Sequence, residues 1–160
     1  MLRSRGGVQN MYTMITKEQQ IGKKRGKYKG LKYYEKRAWE RLSRFVRLEG
    51  CYQSTGRFER GRCYTCDHLV LFQELDAGHA IGGRNNAVLF DKRIIKPQCQ
   101  TCNRNNGGEY EKFKEKLIKE LGEKQYYRIV EDSKKVVLYS IEDLVDVYEK
   151  YNDLICKILN

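Results

Sequence analysis

Residues 63–66 read Cys63-Tyr64-Thr65-Cys66, and residues 97–106 read Pro97-Gln98-Cys99-Gln100-Thr101-Cys102-Asn103-Arg104-Asn105-Asn106. Two Cys-x-x-Cys pairs in one chain read as a single tetrahedral zinc site with Cys63, Cys66, Cys99 and Cys102 as ligands. The expected compartment is reducing, because no apolar signal segment is seen, so disulfides are disfavoured. The pairs stand 32 residues apart, more than a simple zinc ribbon needs. A structured insert is therefore expected between the two knuckles. His68 is an alternative zinc ligand, but four cysteines already complete the shell.

The insert reads as strand, loop, strand. Residues 69–75 are apolar enough for a strand, and Asp76-Ala77-Gly78-His79 follows at once. Gly82-Gly83-Arg84-Asn85-Asn86 reads as a loop. Residues 93–96 suit a second strand, stopped by Pro97, the one proline of the chain. After the second knuckle a helix is expected near Cys102. Zinc would then fix a small ββα unit that its own core is too small to hold. His79 would stand at the end of the first strand, with Asn103 facing the same cleft.

Outward from this unit the chain reads as helices. Trp39, Leu42, Phe45 and Val46 recur at helical spacing, which predicts a helix over 33–49 with Gly50 as its stop. Residues 109–121, with Tyr110, Phe113, Leu117 and Leu121 on one stripe, end at Gly122. Another helix is expected over 123–131. The last, over 141–158, opens on a Ser140/Asp143 capping pair. Its buried stripe is Ile141, Leu144, Val145, Tyr148, Tyr151, Ile155 and Ile158, and Cys156 is expected to pack as a small apolar residue.

The 160 residues carry 32 Lys/Arg against 21 Asp/Glu, a net charge of +11. Residues 1–50 hold 14 of the basic and 4 of the acidic groups, so nearly all the excess lies in the first third. Residues 1–32 read as a basic, glycine-rich arm, and 33–160 as one domain. A concentrated positive charge favours a polyanion, nucleic acid first. The expected contacts are Lys23, Lys24, Arg25, Lys27 and Lys29 of the arm, Arg41 and Arg44 of the first helix, Arg84 in the loop and Arg104 after the knuckle. No stretch approaches 18 uncharged apolar residues, which excludes a helical membrane protein.

A histidine, a carboxylate and an Asn carbonyl suit one-metal phosphodiester hydrolysis. His79 would act as general base on water. Asp76 and Asn103 would offer oxygen ligands to Mg²⁺ or Mn²⁺, distinct from the sulfur-held zinc. Arg84 would sit at the phosphate or be a plain loop charge. Asp76 could instead brace the hairpin through hydrogen bonds, and Asn103 could cap a helix.

The arrangement resembles the HNH, or His-Me finger, nuclease superfamily. More closely, the chain is similar to the lambdoid phage NinG (Rap) recombination endonuclease family. The likeness rests on residues 38–48 (Ala-Trp-Glu-Arg-Leu-Ser-Arg-Phe-Val-Arg-Leu), Cys63-x-x-Cys66, Asp76-Ala77-Gly78-His79, Pro97-Gln98-Cys99-x-x-Cys102-Asn103 and Gly107-Gly108-x-Tyr110. It spans roughly 33–155. It implies an α+β fold in which a zinc-bound, treble-clef-like ββα finger over 63–108 is flanked by helices, those of 109–160 at its C-terminal side. It further implies a metal-dependent, structure-selective DNA endonuclease of the cytoplasm of a phage-infected host, acting on branched DNA such as Holliday junctions and flaps. The implied roles are His79 as base, Asn103 as ligand and Asp76 as a second ligand. Symmetric resolution of a four-way junction needs two active sites, which a homodimer would supply. Two positions depart from the usual pattern: Gly78 stands where an Asp or His precedes the base, and Ile94 where a middle Asn is expected. The alternative is a zinc-stapled nucleic-acid-binding module without catalysis.

Overall fold

The computed structural model describes residues 29–82 and 87–160. Lys23, Lys24, Arg25 and Lys27 of the arm, and Arg84, Asn85 and Asn86 of the loop, lie outside the described residues. The architecture is mixed α+β with small sheets and longer helices. Helix α1 spans Leu31–Thr55, followed by strands β1 Arg60–Arg62, β2 Leu69–Leu71, β3 Leu75–His79 and β4 Ile95–Cys99. A π-helical turn, Thr101–Asn105, leads to α2 Tyr110–Leu121, α3 Glu123–Ser133 and α4 Ile141–Leu159. No helix among the described residues is long and apolar enough to cross a membrane.

The first helix is longer than its periodicity predicts. Gly50 is not its end: the helix runs through it and stops at Gly56, whose φ of 69° ends it in a left-handed cap. Gly50 serves close packing instead. A Cβ there would lie 2.4 Å from Cγ of Pro97, a ring held in a strand. Gly50→Ala is therefore expected to destabilise the fold by about 1–3 kcal/mol, although alanine is the better helix former. Thermal unfolding should show Tm lowered by about 3–10 °C.

The stretch 69–75 is not one strand. A 3₁₀ turn over Phe72–Glu74 divides it into β2, which pairs with β1, and β3, which pairs with β4. Likewise Lys92–Ile94 form a 3₁₀ turn, and β4 continues through Pro97 to the first cysteine of the second knuckle. Proline is tolerated there because the β3–β4 sheet has only two strands, so a residue without N–H can sit on the free edge. The Pro97 carbonyl is used on that edge, accepting a 2.7 Å bond from the amide of Tyr64.

Helix α1 is the central beam. Its Leu42, Phe45, Val46 and Leu48 are buried in one core with Ala77 of β3, Ile94 of the turn before β4, Ile95 of β4, Phe113 and Leu117 of α2, Ile129 of α3, and Tyr151 and Ile155 of α4. Arg37 and Arg41 donate to the Tyr148 hydroxyl at 2.8 and 3.2 Å, tying α1 to α4. Arg41 thus has a structural partner, whereas Arg44 is exposed. The Ser140/Asp143 capping box forms as the sequence suggests. Cys156 is exposed and is not a packing residue, since the buried face of α4 is carried by Leu144, Tyr151 and Ile155.

Candidate metal centre and catalytic face

The four knuckle cysteines converge. Their sulfurs all lie within 4.8 Å of one another. Cys66 and Cys99 are 3.8 Å apart, about the edge of a tetrahedron with zinc–sulfur bonds of ~2.3 Å. Among the described residues this is the single cluster of three or more His, Cys, Asp or Glu side chains that could hold a metal ion, and its all-sulfur donor set suits zinc. The knuckle is built locally. Asp67, at φ 60°, turns the chain so that its amide reaches the Cys63 carbonyl at 3.0 Å, and the Cys63 amide donates to His68 O at 2.9 Å. His68 contributes its backbone, and the sulfur set is complete without its ring.

Burial pushes the Cys63 thiol up, but the Thr65 hydroxyl and the amides of Cys66, Cys99 and Thr65 outweigh it and hold the thiol down at about 6. Burial raises Cys66, Cys99 and Cys102, and the negative charge of Cys63 adds to the rise. A cation is what allows all four to ionise together. Cys51 is buried apart from this cluster, its thiol pushed up to about 11 by burial, and it acts as a packing residue.

β3 and β4 pair antiparallel, with Asp76 opposite Gln98, Gly78 opposite Lys96 and His79 opposite Ile95. Strand alternation puts Asp76 and Gly78 on one face, and Ala77 and His79 on the other. On the first face Asn103 Nδ2 donates to Asp76 Oδ2 at 3.0 Å. Arg104 grips both carboxylate oxygens at 2.7 Å each. Asn103 lies inside the π-helical turn and caps no helix, so its side chain serves Asp76. That turn replaces the helix expected at Cys102. The α-helix proper begins at Tyr110, after Gly107, Gly108 and Glu109 have all taken positive φ.

Burial raises the Asp76 carboxyl, but the hydrogen bonds of Arg104 and Asn103, with the charges of Arg104 and Arg47, more than reverse this. Asp76 is therefore held below the usual carboxylate range, and ionised at neutral pH. A carboxylate offers about four lone-pair sites. Arg104 and Asn103 take three, which leaves room for a further partner. A carboxylate and an amide oxygen are donor types that a hard divalent cation takes, but here Asn103 turns its nitrogen to Asp76 and Arg104 covers both carboxylate oxygens.

On the opposite face His79 is half-buried. Its ring stacks on Trp39 of α1, with centroids 4.8 Å apart and planes 18° from parallel. Its Nε2 lies 3.1 Å from the Leu89 carbonyl. A carbonyl only accepts, so Nε2 carries the hydrogen and the lone pair falls on the other ring nitrogen. The orienting contact therefore comes from loop backbone, whereas Ile94 is fully buried in the core.

The structure thus brings Asp76, Asn103 and Arg104 together, and joins His79 to Trp39 and Leu89 across the strand. Lys29 sits over the Tyr33 ring at 4.0 Å, at the entry to α1. In the sequence Trp39 reads only as one member of a helical apolar repeat, and nothing there links it to His79. The sequence reading also passes over Arg47, which reaches the Leu75 carbonyl at 3.4 Å and adds positive charge behind Asp76. Gln98, fully buried, was passed over as well. Neither Arg47 nor Gln98 has a spacing signature, because their contacts are distant in sequence.

The family model described as Bacteriophage Lambda NinG protein matches residues 9–160, nearly the whole chain. Comparison with the curated proteins and with solved structures finds no match.

Proposed function

The chain belongs to the bacteriophage Lambda NinG family, and from that premise we propose that it is a metal-dependent DNA endonuclease hydrolysing phosphodiester bonds in branched recombination intermediates. One observation carries the reading. Asn103, the residue after the last zinc-site cysteine, lies against the ionised Asp76 at 3.0 Å, on the strand that ends at His79. A DNA strand crossing the end of β3 would meet both faces.

In this reading Asp76 and the Asn103 side-chain oxygen, once released from Arg104 and from each other, would hold Mg²⁺ or Mn²⁺, which would supply positive charge at the reacting phosphate and the leaving 3′ oxygen. His79 takes a proton from the attacking water at the ring nitrogen opposite Nε2. The Leu89 carbonyl keeps Nε2 protonated, and so keeps the lone pair on the correct side. Trp39 fixes the ring plane and stabilises the imidazolium once the proton arrives. Arg104 swings between Asp76 and a DNA phosphate, and Arg84 adds a second phosphate contact. The basic N-terminal residues supply affinity that falls steeply with salt.

Trp39→Leu is expected to slow single-turnover cleavage about tenfold, equivalent to ~1.4 kcal/mol, with Trp39→Phe retaining most of the rate. Rates measured beside Tm separate this from unfolding. The proposal itself is tested with matched linear, flap and four-way-junction DNA, in Mg²⁺, in Mn²⁺ and without free divalent metal. Cutting of the branched substrates only with metal is expected.

A second reading has one observation in its favour. The two-pronged Arg104 grip on Asp76 suits a module that binds branched DNA without cutting it. Tight binding with every substrate intact under all three conditions would select it.

A further inference from the structure

We infer that the C-terminal tip of α1 and the loop into β1 form a second DNA contact, a stacking platform for an unpaired base of the branched substrate, an inference that rests on the reading above for its partner but not for the cutting. Phe58 packs against the main core, and Tyr52 stacks on Phe58 with ring centroids 5.2 Å apart and planes 18° from parallel. Tyr52 is the outer ring of the pair and is 52% exposed. Among the described residues no second ring stacks on it, and no Lys or Arg sits over it. A stack that runs outward from the core thus ends on an open ring, and a nucleobase is the group that extends it.

The surroundings are cationic and fixed. An open pocket of about 400 Å³ is lined by Gly56, Arg57, Phe58, Glu59 and Arg60. Along β1, Gly61 is buried while Arg60 and Arg62 are exposed. A Cβ at Gly61 would lie 2.7 Å from the Cys51 sulfur, so β1 presses on α1 there and presents its arginines outward. Arg62 donates to the Asp67 carbonyl at 3.0 Å. Arg57 and Arg60 enter none of the ion pairs among the described residues. The backbone that carries them is pinned to the end of α1: the Arg57 amide donates to the Thr55 hydroxyl at 3.2 Å, and the Arg62 amide to the Ser54 hydroxyl at 3.0 Å. A preset loop lowers the ordering cost of binding. Its two unpaired guanidinium groups suit phosphates. Glu59 disfavours a phosphate inside the pocket and accepts from the N–H groups of a base edge. An aromatic face flanked by arginines holds single strands without reading their sequence. A duplex keeps its bases stacked on each other and offers Tyr52 no face. Trp39, which stacks on His79, stands 13 positions earlier on α1, about 20 Å away and so roughly six base steps along one DNA.

The test uses the full, zinc-loaded chain with no added Mg²⁺ or Mn²⁺, so that binding is read without cutting. The probes are a flap DNA with an unpaired thymidine arm and a blunt linear duplex. Tyr52→Ala should bind the flap about 5- to 150-fold more weakly, the range of one base–aromatic stack, and Tyr52→Trp should bind it like wild type. Duplex affinity should change less than about twofold. Replacing both arginines, Arg57→Gln with Arg60→Gln, should lower the salt slope of flap binding by about one to two. Equal flap affinity in wild type and in a Tyr52→Ala chain of normal zinc content and Tm would overturn the inference, as would equal losses on flap and duplex. An independent readout places 5-iododeoxyuridine in the flap arm and irradiates the wild-type complex. The crosslink should map to Tyr52 by peptide mass spectrometry, and crosslinks confined to other residues would count against the platform. That measurement decides should the alanine variant not fold. Flap cleavage in Mn²⁺ is scored separately. A chain that selects the flap through Tyr52 and never cuts it keeps the platform and loses the endonuclease, whereas one that cuts the flap with Tyr52 idle does the reverse.

Discussion

Replacing His79 with alanine is expected to slow single-turnover cleavage of branched DNA by about 10²–10⁴-fold, the range that a positioned general base contributes. Affinity for the same DNA should stay within about twofold, because the electrostatic contribution comes from Lys and Arg side chains elsewhere. Zinc content should not change, since the stack on Trp39 and the contact with the Leu89 carbonyl involve no knuckle cysteine. His79 ends its strand half-buried, stacked on one face by Trp39, so its removal costs a stack of about 1 kcal/mol and no core side chain. A folded variant that binds and does not cut is the expected phenotype. Equal cleavage rates in variant and wild type would remove His79 from the mechanism and leave the fold description untouched.

The largest expected effect on structure follows loss of the zinc-site thiolates. Cys99→Ser should abolish stoichiometric zinc binding and melt the β1–β4 region. That region has two two-stranded sheets, and Cys63, Cys99 and Cys102 form a small buried cluster of their own beside the main core. Isolated two-stranded pairs are marginal in water. The apparent free energy of a structural zinc site, about 10–16 kcal/mol, is comparable with the whole stability of an ordinary domain. Backbone amide signals of β3 and β4 should collapse, while α1 and α4 keep part of their helicity through the Phe45–Tyr151 contact and the Tyr148 ties.

Acid should act in the same direction. The Cys63 thiol is held at about 6, below its ordinary value, so its contribution is complete above the ordinary thiol range and is lost as pH falls through about 6. The other three thiols are pushed up by burial and reprotonate more readily still without the metal. Zinc release followed with a chromophoric chelator should therefore rise steadily from pH 7.5 to pH 5. A pH-independent release rate would argue against a thiolate-held ion.

What was legible in the sequence was whatever is written in local spacing. The four-cysteine cluster follows from two Cys-x-x-Cys pairs because a metal demands fixed ligand types at short range. The boundaries of α2 and α4 follow from Gly122 and the Ser140/Asp143 box, which are local devices. What was misread depends on contacts between distant residues. Gly50 reads as a helix stop only until Pro97, 47 positions away, is seen to press against it. Pro97 reads as a strand stop only while the strand is not known to be an edge. Residues 69–75 read as one apolar strand, because nothing local says that Phe72–Glu74 turn the chain from one sheet into another. At the candidate site, Asp76 and Asn103 were singled out by residue type and position. The stack of Trp39 on His79, the Arg104 grip and the bond of buried Gln98 to the Gly108 carbonyl join elements that no periodicity links.

The most direct test of the account is single-turnover incubation of wild-type protein with a four-way junction and Mn²⁺ in ¹⁸O-labelled water, with the products read by mass spectrometry. Water-mediated hydrolysis with departure of the 3′ oxygen predicts cut strands bearing 5′-phosphates that carry one ¹⁸O atom. A junction that is fully bound by zinc-loaded protein and recovered intact would contradict the account.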